Sequence, residues 1–192
     1  SFAIESGILY DRTNNKHLKE AKALQIKPID IVVCNLYPFE GTIKKQSVTI
    51  DDAVENIDVG GPTMIRSAAK NFKNVLVVVD PKDYAVVSGA LEKEIIDEAM
   101  RRELAAKAFG HLSFYDAQTA TYLRFESFPD EFVLAGRKVT DLRYGENPHQ
   151  KSAVYVRPDA KTPFNHLQKL WGRDLSLINV TDINAGIESV RV

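Results

Sequence analysis

The sequence contains a single cysteine, Cys34, and no dense run of lysine and arginine. One thiol forms neither an internal disulfide nor a metal cage, which fits a reducing compartment and gives no reason to expect a metal. Twenty-five basic side chains against 26 acidic ones leave a formal net charge of -1, so nucleic acid and an anionic membrane are poor partners for this surface. Long apolar runs are missing too: residues 29–34, broken by Asp30, fall far short of the roughly 20 residues that a membrane-spanning helix needs. There is no signal-peptide pattern, internal repeat or low-complexity tract. A soluble, cytoplasmic protein is expected. The chain begins at Ser1 without an initiator Met and closes in residues 182–192, which read as a capped helix still running, so a fragment of a longer chain is expected.

What is present suits a folded protein. At 192 residues and 44% hydrophobic, the chain has the length for one domain of common size plus part of another. Two β-branched runs, residues 29–35 and 74–80, are apolar without alternation, which predicts strands of a parallel sheet buried on both faces. The crossover between them holds two predicted helices. The first has Thr49 as its N-cap, Asp51, Asp52 and Glu55 near the positive end of the dipole, Ala53, Val54 and Ile57 facing inward, and an end near Asp58. Gly60-Gly61 reads as a break, with Pro62 opening a second helix over residues 63–71 whose stripe is Met64, Ile65, Ala68 and Ala69. Helices follow around residues 84–93 and over residues 95–123. In the long one Met100, Leu104, Ala108, Leu112, Tyr115, Thr119 and Tyr122 recur at steps of three and four, which buries one face. The period stops at residues 124–130, and a strand is expected at residues 153–156.

Three segments carry groups suited to chemistry. Residues 34–39, Cys-Asn-Leu-Tyr-Pro-Phe, follow the first predicted strand, where open α/β sheets place their ligands; aromatic packing and a strand stop explain them equally well. Residues 56–62 set the carboxylate of Asp58 beside Gly60 and Gly61, ahead of a helix N-terminus able to receive an anionic oxygen; a solvated turn is the plainer reading. Lys70 near the end of that helix relieves its dipole or supplies charge to a ligand. Residues 142–150 gather Arg143, Tyr144, Asn147, His149 and Gln150 around Gly145 and Pro148, a set suited to phosphate and a polar heterocycle, or to an ordinary polar loop.

Together, residues 34–39, 55–62 with 66–71, 102–109 and 142–150 resemble the bifunctional AICAR transformylase/IMP cyclohydrolase family in order and approximate spacing. The resemblance implies an α/β fold: a partial methylglyoxal-synthase-like parallel-sheet domain at residues 1–125, a linker at 126–138, and the start of a cytidine-deaminase-like transformylase domain at 139–192. It implies formyl transfer from the co-substrate 10-formyltetrahydrofolate to AICAR, then closure of FAICAR to IMP, in a homodimer. By position, Tyr37, Asp58 and Lys70 resemble cyclohydrolase active-site residues, with Asn35, Gly60 and Gly61 as substrate-binding neighbours. Arg143, Tyr144 and His149 resemble residues that contact AICAR.

The sequence also departs from the family. Residues 1–6 stand where the family carries a Lys-Thr-Leu-His-Pro-like segment, and the Lys-His pair of formyl transfer is not among these residues. Neither site is expected to be complete within the chain. The alternative is a non-catalytic nucleotide-binding module of the same descent. Asp58 and Lys70 reach one ligand only if the chain folds back at the glycines or the ligand spans the helix between them.

Overall fold

The computed structural model describes residues 2–158 and 160–190. They form two compact units, residues 1–128 and residues 129–192.

In the first unit the elements run α1 (Phe2–Leu9), α2 (Asn15–Ala23), β1 (Ile31–Val33), α3 (Phe39–Ile43), α4 (Ile50–Glu55), α5 (Gly60–Lys70), β2 (Leu76–Val78), α6 (Tyr84–Glu92) and α7 (Glu98–Leu123). β1 and β2 pair in parallel, Ile31 opposite Leu76 and Val33 opposite Val78. The expected β-branched runs are strands only at their centres, because Pro81 and the Asn35 to Pro38 segment turn the chain away.

β2 is buried on both faces. On one, Val75, Val77 and Val79 pack with Ile65, Ala68 and Ala69 of α5 and with Ala105, Ala108 and Leu112 of α7. On the other, Leu76 and Val78 meet Val87 of α6 and Leu104 of α7. β1 differs from the expectation: Val32 is covered, while Ile31 and Val33 are 39% and 55% exposed. Its alternating side chains point to opposite faces and only one face has a helix against it.

α4 carries the expected cap. Thr49 Oγ1 accepts from Asp52 N–H while Asp52 reaches back to Thr49 N–H, a reciprocal capping box. The helix stops at Glu55, short of Asp58, and Val54 faces solvent rather than inward; Ala53 alone of that helix is buried. α5 begins at Gly60, so the glycines form its first turn and do not break the chain. Its stripe is as the spacing predicts, with Ile65, Ala68 and Ala69 buried. α7, capped by Asp97, crosses the whole unit and buries Leu104, Ala108, Leu112 and Tyr115 from the expected stripe.

The second unit opens with β3 (Arg137–Leu142), antiparallel to β4 (Ser152–Val156), and ends in α8 (Leu177–Val190). β3 was not expected, because Arg-Lys-Val-Thr-Asp-Leu is polar and mostly exposed. α8 begins five residues before the expected Asp182, and the end of the expected helix, Arg191 and Val192, lies outside the described residues.

Candidate functional site

The turn between α4 and α5 is the best-built part of the first unit. Asp58 Oδ1 accepts from Gly61 N–H at 2.8 Å, so the carboxylate takes up one of the free N–H groups in the first turn of α5. Its Oδ2 takes a longer bond, 3.4 Å, from Tyr37 N–H in the segment that follows β1. The backbone N–H of Asp58 donates to Tyr115 Oη at 2.8 Å, and Tyr115 Oη donates to the carbonyl of Asn56 at 3.4 Å. Three segments far apart in sequence therefore converge on Asp58, Tyr37 on its carboxylate and Tyr115 on its backbone.

A cavity of about 460 Å³ opens beside it. Val59, Pro62, Thr63, Arg66, Ser67 and Lys70 line it at steps of three and four, one face of α5, and Tyr115, Asp116 and Thr119 close it from α7. Asp58 lies at one end of this face and Lys70 in the last turn at the other. The 11 residues of α5 separate them, about 16 Å at 1.5 Å per residue, so a ligand touching both runs along the helix. The chain does not fold back at the glycines.

Charge is unevenly distributed along that face. Arg66 is bound to Asp116 at 3.1 Å, both half-exposed, whereas Lys70 makes no ion pair among the described residues. Cys34, beside the turn, is a poor nucleophile: burial first, and then the charge of Asp58, push its thiol above its ordinary range.

Other expected site residues fall elsewhere. Tyr37 joins Asp58 through its backbone, but its side chain is 57% exposed and does not line the cavity. Asn35 spends its side chain on the fold, donating to Val79 O at 3.2 Å and accepting from Tyr84 Oη at 2.9 Å. Gly60 has open space around it, while Gly61 is in contact with Asp58 and Leu36. Tyr115, Arg66 and Asp116 were missing from the expected set. Tyr115 stands on the predicted buried stripe of α7, but nothing local to it announces a bond to residues 57 and 59 positions away.

In the second unit the 143–151 loop joins β3 to β4. Gly145 N–H donates to Gln150 O, Gln150 N–H to Asn147 O, and Asn147 N–H to Gln150 Oε1, all within 3.0 Å. Gly145 is buried, and a side chain there would meet Gln150 at 3.2 Å. Arg143 stacks its guanidinium 4.7 Å above the Tyr144 ring and donates to Tyr144 Oη at 3.1 Å. Arg143 N–H bonds to Leu175 O and Tyr144 O receives Leu177 N–H, which fixes the loop from behind. Arg143 and His149 line a cavity of about 330 Å³ with Lys151 and Asp141, and Tyr144 does not. Asp174 is held below the usual carboxylate range by Lys169, with Arg143 adding to it. Among the described residues no cluster of three or more His, Cys, Asp or Glu is placed to hold a metal ion.

A parallel sheet packed on helices, with a hydrogen-bonded turn at one side and a helix-lined cavity beside it, is the layout of a small α/β domain. The model of the MGS-like domain matches residues 4–63, and that of the AICARFT/IMPCHase bienzyme matches residues 68–192, more than half of the chain. The chain belongs to the AICARFT/IMPCHase bienzyme family. It is 47% identical over 98% of its length to the bifunctional purine biosynthesis protein PurH of Thermoanaerobacter sp. (strain X514), and 47% identical over 97% to that of Leuconostoc mesenteroides subsp. mesenteroides. The chain spans 38% and 37% of those two proteins. Among solved structures it resembles the crystal structure of ForH, with a TM-score of 0.56 and 34% identity over 62% of each chain. No helix among the described residues is long and apolar enough to cross a membrane.

Proposed function

We propose that a full-length protein carrying this chain performs the last two steps of IMP synthesis: formyl transfer from 10-formyltetrahydrofolate to AICAR, then closure of FAICAR to IMP. The observation that carries this reading is that Asp58 and Lys70 line opposite ends of one helix face in a single cavity. The near-half identity to the bifunctional purine biosynthesis proteins supports it across both units.

Ring closure joins the carboxamide nitrogen to the formyl carbon, and the formyl oxygen leaves as water with one hydrogen from each of the two nitrogens. The site must hold the two groups together, stabilise the developing oxyanion and move those protons. In our assignment Lys70 supplies positive charge at its end of the cavity and Asp58 accepts or orients a proton at the other. Tyr37, exposed beside the turn, contributes a phenol from the rim, and the Gly60–Gly61 backbone lets the substrate approach. Asn35 supports the strand end behind them.

Residues 1–125 make up the cyclohydrolase part and 139–192 the start of the transformylase part, joined through 126–138. Arg143 and His149 face AICAR, Arg143 as a guanidinium held flat by the Tyr144 ring. The co-substrate 10-formyltetrahydrofolate binds without a metal. The protein works in the cytoplasm as a homodimer on small molecules.

The test is to assay the full-length protein for IMP formation from FAICAR and for AICAR-dependent use of 10-formyltetrahydrofolate. Both activities are expected; a well-folded protein with neither would instead be a nucleotide-binding module.

A further inference from the structure

One phenol pins both ends of the turn that carries Asp58. Tyr115 Oη accepts from Asp58 N–H at 2.8 Å and donates to Asn56 O at 3.4 Å. The following residues, Gly60 and Gly61, put little restraint of their own on the backbone. The ring that carries this hydroxyl is itself fixed. Tyr115 is 7% exposed and lies 6.1 Å from Phe39, inclined at 60°, and Phe39 is held edge-on by Tyr122 at 5.8 Å. Phe39 N–H bonds to Tyr37 O at 2.8 Å. Tyr115 thus reaches Asp58 through its hydroxyl and Tyr37 through its ring.

We infer that Tyr115 is a positioning residue of the ring-closing site: it aims the Asp58 carboxylate and sets the Tyr37 segment against it, without exchanging a proton with substrate. The inference rests on the cyclohydrolase reading above. Desolvation first, joined by the negative charges of Asp58 and Asp116, outweighs the bond from Asp58 N–H and holds the phenol above its ordinary titration range, so at neutral pH its hydrogen stays available to Asn56. The charges that act on it are Asp58 from the turn and Asp116 on α7 itself, while Arg66 and, at the far end, Lys70 line the same cavity from α5.

Tyr115→Phe keeps the ring on Phe39 and removes only the hydroxyl. In the full-length protein, ring-closing kcat is expected to fall roughly tenfold or more, since small misplacements of reacting groups carry costs of that size. KM for FAICAR should move by less than about threefold, and formyl transfer should be unchanged. The second expectation is non-additivity. In an Asp58→Asn background Tyr115→Phe should cost almost nothing more, because its effect runs through that carboxylate. An equal further loss in that background, or an unaffected kcat while Asp58→Asn is impaired, overturns the positioning role. If Asp58→Asn alone closes the ring as well as wild type, the cyclohydrolase assignment of this cavity fails and the inference with it. Should Tyr115→Phe not fold, 3-fluorotyrosine at position 115 keeps both hydrogen bonds and titrates at lower pH. The alkaline limb of ring closure should then shift down while formyl transfer keeps its profile; an unmoved limb overturns the role.

Discussion

Gly61 N–H donates to Oδ1 of Asp58 at 2.8 Å, and a methyl group on Gly61 would lie 2.6 Å from Oδ2 of the same carboxylate. The bond and the close approach are one feature: the oxygens sit over the glycine because its N–H holds them there. Leu36 Cδ2 lies 2.8 Å from the same point. Gly61→Ala must therefore push aside a tethered carboxylate and a packed leucine, at a cost of about 1–3 kcal/mol. Gly60→Ala meets nothing within 4 Å and should stay within about 0.5 kcal/mol of wild type. Denaturant midpoints of the two variants check the contrast.

Leu112 packs where α5, β2 and α7 meet and is 1% exposed. Leu112→Ala should destabilise the protein by about 2–5 kcal/mol, because the surrounding valines and alanines cannot collapse into the space. The measurement is the denaturant midpoint at constant slope. A loss below about 1 kcal/mol would mean that α7 is not the wall of this core.

Lys107 bridges Asp80 and Asp83, at 2.8 Å from each, just past the end of β2. The Lys107 hydrogen bond, followed by the backbone N–H of Lys82, holds the Asp80 carboxyl below its ordinary range. A depressed folded-state value means that this stabilisation is present above the unfolded value, about 3.9, and is lost as pH falls through the folded one. Lys107 is pulled down by burial but raised overall by its two carboxylate partners, so its own contribution is complete below about pH 10 and fades only as pH rises further. Stability measured against pH should therefore drop below about pH 4 more steeply in wild type than in Lys107→Met. Parallel curves would remove the pair from the account.

Arg143 is stacked, bonded to the Tyr144 hydroxyl and directed to the same cavity as His149. Arg143→Ala should raise KM for AICAR in formyl transfer by roughly tenfold, the loss expected for a charge-assisted hydrogen bond to substrate. Ring closure of supplied FAICAR should be unchanged. Arg143→Lys should recover little, since an ammonium neither stacks nor presents a fork.

Much of the first unit was legible because its signals are local. The valine run of residues 75–79 predicts a buried strand, Thr49 predicts the N-cap of α4, and the three–four spacing of α7 predicts its buried face. What was misread depends on partners. Gly60-Gly61 looks like a break until the Asp58 carboxylate is seen bound to Gly61 N–H, and a valine-rich β1 looks buried on both faces until only one is found covered. β3 hides behind its exposed polar residues. Of the candidate site, the sequence named Asp58 and Lys70 but not Tyr115, whose bond to Asp58 spans 57 residues. It also grouped Tyr144 with Arg143 and His149, although Tyr144 serves as the platform under the guanidinium rather than as a wall of the cavity.

The most direct test supplies FAICAR to the full-length protein and to its Asp58→Asn and Lys70→Met variants, and measures ring closure and formyl transfer separately on each. The account predicts that wild type forms IMP, and that each variant loses roughly a hundredfold or more in ring closure, the scale of a positioned proton-transfer or charge-stabilising group. Formyl transfer should hold within about twofold in the same samples. Folded variants that close the ring at the wild-type rate would contradict it, because the cavity between Asp58 and Lys70 would then not be where IMP is made.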